Sequence, residues 1–153
     1  METAADSLPF VDEHSIEIDS PPGPTWEALL KIAERSFEGG ATPRIAALVG
    51  CEDRTASGPR PLAVGSTVPG FHVAAAEPQR ELVLAGAHRF SRYALTVRLD
   101  DLGGGRTRLQ AETRAEFPGL KGSIYRALVI GTRMHVLLTR RIIAAAKARA
   151  ERQ

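Results

Sequence analysis

The chain of 153 residues has one cysteine, Cys51, so it can form no internal disulfide and no thiolate zinc cluster. Nothing in its cysteine usage points to an oxidising compartment, and a cytoplasmic setting is expected. Charge of one sign is also scarce: 18 acidic residues face 20 basic ones, for a net charge of +2. That mild excess does not mark a nucleic-acid binder. The only long apolar stretch, Leu128 to Ala146, is interrupted by Arg133, His135, Arg140 and Arg141, which a membrane span does not tolerate. Met1 to Pro9 carries Glu2 and Asp6 without a basic start or an apolar run, so it reads as a short frayed tail and not as a signal peptide.

Catalytic and cofactor signatures are missing as well. There is no G-x-S-x-G elbow, P-loop, G-x-G-x-x-G or H-E-x-x-H. His14, His72, His88 and His135 stand at no spacing that would build a zinc site, so neither metal nor cofactor is expected. At this length the chain buries roughly 70% of its unfolded surface, enough for one core. A single domain over residues 10–153 is expected.

What is present is periodicity. Phe10 to Asp19 alternates, with Phe10, His14, Ile16 and Ile18 on one face, as in a half-buried strand. Ser20-Pro21-Pro22-Gly23-Pro24 ends it and leads into a helical pattern of Trp26, Leu29, Leu30, Ala33 and Phe37 that stops at Gly39-Gly40. Thr42-Pro43 reads as an N-cap with proline in the first turn, placing a second short helix over 44–49. Cys51 to Pro69 has no period and reads as a surface loop. Extended segments follow at Phe71 to Glu77, Arg80 to Gly86, Phe90 to Asp100 and Arg106 to Phe117, joined by short turns into an antiparallel meander.

In the last two, Tyr93, Leu95, Val97 and Leu99, and Thr107, Leu109, Ala111, Thr113, Ala115 and Phe117, form a dry face, and charged residues form the wet one. Gly103-Gly104-Gly105 supplies a turn with positive φ; phosphate binding is disfavoured because no helix follows. Beyond Pro118-Gly119 one long helix is expected, with Ile124, Leu128, Gly131, His135, Leu138 and Ile142 on one stripe and Arg126, Arg133, Arg140 and Lys147 behind. That basic back reads mainly as a solvated surface, with contact to acidic lipids or nucleic acid as the lesser alternative. Tyr125 is its only aromatic, too few for stacking on single-stranded nucleic acid.

The order of elements, with His14-Ser15-Ile16-Glu17-Ile18-Asp19-Ser20-Pro21-Pro22 running into Trp26-Glu27-Ala28-Leu29, resembles the SRPBCC superfamily of START-type, polyketide cyclase and birch-pollen-allergen-like proteins. Ser20 stands where alanine is usual in that pattern, and the loop from Cys51 to Pro69 has no counterpart. The resemblance implies an α+β helix-grip fold, a curved antiparallel sheet around a long terminal helix with a cavity between them. Its motifs are packing motifs and carry no catalytic residue from one member to another.

The residues themselves give a dry sheet face and a dry helix stripe that must meet. Small side chains at Ala111, Thr113, Ala115 and Gly131 leave either close packing or a hole, and the curvature favours a hole. The expected ligand contacts are His14, Ile16, Phe71, Val73, Tyr93, Leu95, Leu109, Ala111, Thr113, Phe117, Ile124, Leu128, Gly131 and His135. Among them His14, Tyr93 and His135 are the polar handles, since imidazole titrates near neutrality and a buried phenol needs a partner. For each histidine the competing role is that of a core residue bonded to a backbone carbonyl.

The reading that follows is binding of a small hydrophobic or amphipathic molecule of lipid, polyketide or isoprenoid type. Two rivals stand beside it: a cyclase or dehydratase in which a pocket histidine moves a proton, and a regulatory interaction protein whose interior is filled by its own side chains. The expected partners are a small hydrophobic molecule and at most a weakly held second copy of the chain, with no nucleic acid.

Overall fold

The sheet is best followed from its first strand, which lies beside its last. The computed structural model describes residues 4–39, 42–131 and 133–152, with side-chain surroundings at all of these except 129–131 and 134. Strands β1 (Phe10–Ile18), β2 (Thr67–Val68), β3 (Phe71–Glu77), β4 (Glu81–His88), β5 (Ser91–Gly103) and β6 (Arg106–Glu116) form one antiparallel sheet in the order β1-β6-β5-β4-β3-β2. Between β1 and β2 come helices α1 (Pro22–Glu38) and α2 (Thr42–Val49), and after β6 come α3 (Gly119–Gly131) and α4 (Met134–Glu151).

The β5–β6 pairing sets Leu95 opposite Thr113, Val97 opposite Ala111 and Leu99 opposite Leu109, so the two dry rows predicted from alternation share one face. Its turn runs through Gly103, Gly104 and Gly105 at φ values of 76°, 63° and 75°, which L side chains rarely adopt. Against this face pack α1, through Trp26, Leu29, Leu30, Ala33 and Phe37, and α4, through Ile142, Ile143, Ala146 and Ala150. Ile18, Leu29, Leu82 and Leu109 are fully enclosed, each worth about 1.5–3 kcal/mol of burial. The corner before α1 is pinned where Thr107 Oγ1 donates to the Ser20 carbonyl at 2.7 Å.

Four local expectations are corrected. The frayed tail is ordered from Ala4: Ala4–Ser7 forms a 3-10 turn whose Ala5 packs with Val83 and Ala94 on the outer face of the sheet. Arg114 holds that turn by donating to the carbonyls of Asp6 (3.2 Å) and Leu8 (3.0 Å). A bulge between Phe10 and Asp12 breaks the alternation of β1, so Phe10 is 58% exposed. The loop after Cys51 is tied down, since Thr67–Val68 joins the sheet, Leu62 is buried, and the Arg60 guanidinium donates to Glu38 and to the carbonyls of Ser57, Pro59 and Thr67.

The largest correction concerns the terminal helix, which is two helices. Arg133 sits at φ 56°, ψ 24°, a left-handed conformation that an α-helix cannot propagate. The wheel phase of α3 therefore does not continue into α4. His135 and Ile142 face the interior and Leu138 lines the cavity at its edge, while Ile124 and Leu128, from the same predicted stripe, are 58% and 61% exposed.

Candidate ligand cavity

Where α4 and the sheet diverge, a cavity of about 280 Å³ remains. Leu95, Thr113 and Ala115 form its floor on β5 and β6; Phe37, Ile45, Ala46 and Val49 of α1 and α2 wall one side, and Leu138 and Ile142 of α4 the other. Ile45 and Leu138 are also 56% and 44% exposed, so the cavity reaches the surface between α2 and α4.

One end is built from rings. Phe37 and Phe71 lie 4.6 Å apart, Phe71 meets Tyr93 edge-on at 5.1 Å, and His88 stands 5.5 Å from Tyr93 and 4.7 Å from Tyr125. Edge-to-face geometry at these separations adds to plain burial. The Tyr93 hydroxyl donates to the Gly70 carbonyl at 2.6 Å, and Cys51 Sγ lies 3.6 Å from the Tyr93 hydroxyl oxygen, placed to donate into it. Position 86 must be glycine for this, because a Cβ there would stand 2.2 Å from the Gly70 oxygen and 2.8 Å from the Tyr93 hydroxyl. Burial, reinforced by Cys51, raises the Tyr93 pKa above its ordinary value of 10.0, so the phenol stays neutral.

Burial lowers the His88 pKa, which favours a neutral ring. The Phe90 amide donates to His88 Nδ1 at 3.1 Å, which leaves the proton of the neutral imidazole on Nε2. Burial likewise raises the pKa of Tyr125.

On the opposite wall stands His135, which shares the carboxylate of Asp12 with His14. His135 Nε2 lies 2.8 Å from Asp12 Oδ2, and His14 Nε2 lies 3.3 Å from the same oxygen. If His135 donates from Nε2 to the carboxylate, its lone pair sits on Nδ1. Neither His135 Nδ1 nor Asp12 Oδ1, both buried, has a hydrogen-bond partner among the described residues. Buried polar atoms of this kind are uncommon and ask for an explanation. Thr139, one turn along α4, donates its hydroxyl to the His135 carbonyl at 2.8 Å. Among the described residues no group of three or more His, Cys, Asp or Glu is placed to hold a metal ion.

Of the residues expected to touch a ligand, Phe71, Tyr93, Leu95, Thr113, Phe117 and His135 line the cavity. Val73, Leu109 and Ala111 lie instead in the closed core, with Ile16 packed against it. His14 is not part of the cavity wall and bonds to Asp12. Ile124 and Leu128 are turned to solvent by the helix break, and Gly131 falls outside the residues whose surroundings are described.

Sequence reasoning missed Val11, Asp12, Cys51, His88, Tyr125 and the whole contribution of α2. For Asp12 a signal existed, since an even-numbered position on β1 shares the face of His14, Ile16 and Ile18. For α2 there was none, because its place over the cavity depends on the path of the chain from α1.

No protein-family model and no curated relative matches the chain. Solved structures do resemble it. Zhui aromatase/cyclase from a Streptomyces species is 14% identical, with a TM-score of 0.56 over 92% of this chain and 93% of that one. An uncharacterized protein from Rhizobium leguminosarum is 14% identical, with a TM-score of 0.57 over 93% and 95% of the two chains. Ara h 8.0201 is 8% identical, with a TM-score of 0.52 over 93% and 97%. At such identities the likeness is one of fold.

Proposed function

From a chain with the helix-grip fold of SRPBCC proteins, we propose that its work is to bind a small hydrophobic or amphipathic molecule between the sheet and α4. The observation that carries this reading is the cavity of about 280 Å³, walled mainly by Phe, Leu, Ile, Val and Ala side chains and reaching the surface at Ile45 and Leu138. Binding pockets for small molecules combine such an apolar wall with a few polar groups, and this volume stands near the lower end of their range. It suits a compact ketide or a short isoprenoid better than a two-chain lipid. The aliphatic and aromatic wall supplies affinity, and His135 and His88 orient a polar end of the guest.

The test is native mass spectrometry of the protein purified from its own cells. A co-purified mass of the ketide, isoprenoid or lipid class supports the reading. A clean apo mass, together with failure to bind a lipophilic fluorophore, overturns it in favour of a protein that works without a guest.

A second reading has an observation of its own in the Asp12–His135 pair, an imidazole oriented by a carboxylate at the cavity wall. Such a pair can act as a general base toward a bound ketone, in the manner of a cyclase or dehydratase, and one structure of similar fold is an aromatase/cyclase. The variant His135→Gln separates the two. A carrier keeps its affinity within about tenfold, or ~1.4 kcal/mol, whereas proton transfer is largely abolished.

A further inference from the structure

Helix α3 leaves large apolar side chains in water. Leu120 is 79% exposed and Ile124 is 58% exposed, four residues apart and so on one face of the helix. The neighbouring Tyr125 is turned the other way, into the cavity and against His88. Close by in sequence the charge is of one sign. From Pro118 to Ala150 the chain has Lys121, Arg126, Arg133, Arg140, Arg141, Lys147 and Arg149 and no aspartate or glutamate. Among the described residues Lys147 is the one member of that set with an ion-pair partner, Glu151. Lys121, Arg126 and Arg133 are exposed. Monomeric proteins seldom leave apolar side chains grouped in this way without a use for them.

We propose that α3 is a docking surface for an anionic lipid bilayer. The helix lies in the plane of the interface, with Leu120 and Ile124 at the acyl boundary and Lys121 and Arg126 among the headgroups. No described helix is long and apolar enough to cross a membrane, and the proposed contact is with the bilayer surface.

Charge selects the bilayer over a second copy of the chain. A twofold self-contact through α3 brings two acid-free basic helices face to face, which opposes association. A bilayer offers diffuse negative charge to cations that have no fixed partner, together with an apolar layer for the leucine and isoleucine. Nucleic acid meets the cations but gives those two side chains nothing to enter.

The test is sedimentation of the full chain with phosphatidylcholine vesicles, with and without phosphatidylglycerol. Binding is expected to vesicles that contain phosphatidylglycerol and to weaken as salt is raised. The double variant Leu120→Asp with Ile124→Asp is expected to lose about tenfold or more in affinity, and Arg126→Glu is expected to weaken binding to anionic vesicles alone. Because Leu120 and Ile124 are solvent-exposed, the double variant keeps its circular dichroism spectrum and its binding of a lipophilic fluorophore, which separates this test from that of the cavity. Absence of vesicle binding overturns the proposal, as does equal binding to neutral and anionic vesicles or a double variant that binds like the parent. A concentration-dependent dimer abolished by the same double variant overturns it too, and assigns the face to a second copy.

Discussion

The two halves of the carboxy-terminal helical segment meet opposite fates although both are rich in aliphatic residues. α4 lays Ile142, Ile143, Ala146 and Ala150 against α1 and the sheet, and each is nearly inaccessible to solvent. α3 turns Leu120 and Ile124 outward and holds to the body through Tyr125, which stacks near Phe90 at 5.5 Å and meets His88. The difference shows that hydrophobic content does not decide burial. The left-handed Arg133 changes the direction of the chain and the phase of the wheel, and what lies on the core side of α4 lies on the solvent side of α3.

The contrast breaks most visibly at Ile142. Ile142→Ala removes enclosed methyl groups and is expected to lower unfolding free energy by about 2–4 kcal/mol, read from urea denaturation midpoints. A loss under ~1 kcal/mol would mean that α4 is not part of the core. Next comes the hinge between the halves. Arg133→Gly relieves a left-handed residue and is expected to raise the melting temperature by a few degrees, corresponding to about 1 kcal/mol or less after the entropy of glycine is counted, whereas Arg133→Val at the same site is expected to lower it. If both variants melt with the parent, the two helices are joined differently.

A further effect is pH-dependent. The folded pKa of His88 is held below 6.5 by burial, so as the pH drops below 6.5 the unfolded chain binds protons that the folded one does not. The contribution of His88 to stability is therefore present above pH 6.5 and lost as the pH falls toward its folded value. Melting temperatures measured across that window should fall less in His88→Gln than in the parent, and equal slopes would remove His88 as the cause. The smallest expected effect is at Ile124, where Ile124→Ala should change stability by no more than about 0.5 kcal/mol because the side chain is already in water.

Much of this fold was legible in the sequence where one physical period ruled a whole segment. Alternation gave the facing rows of β5 and β6, and glycine at three successive positions marked the turn between them. Pro21 and Pro22 before Trp26, and Gly39 after Phe37, fixed the ends of α1. What was not legible depended on single backbone residues or on distant packing. The bulge at the start of β1 moves Phe10 outward and Val11 to the cavity, yet both side chains are apolar and neither reports the shift. Arg133 is an ordinary helix former, so its left-handed conformation had no compositional mark.

The candidate site divides along the same line. Tyr93, Leu95, Thr113 and Phe117 reach the cavity because strand alternation places them, and His135 does so from α4. Ile124 was expected there through a helix phase that the break resets. Asp12 and His88 acquire their roles from partners far away in the chain or from the depth at which they sit, His135 for Asp12 and burial beside Tyr93 and Tyr125 for His88.

The space between sheet and α4 is tested most directly by titrating a lipophilic fluorophore into the parent protein and into Thr113→Phe, whose ring would occupy the floor of the cavity. Saturable one-to-one binding by the parent, lost in a variant that still folds, is the expected result. Equal binding by both, or none by the parent, would contradict an interior that accepts a guest.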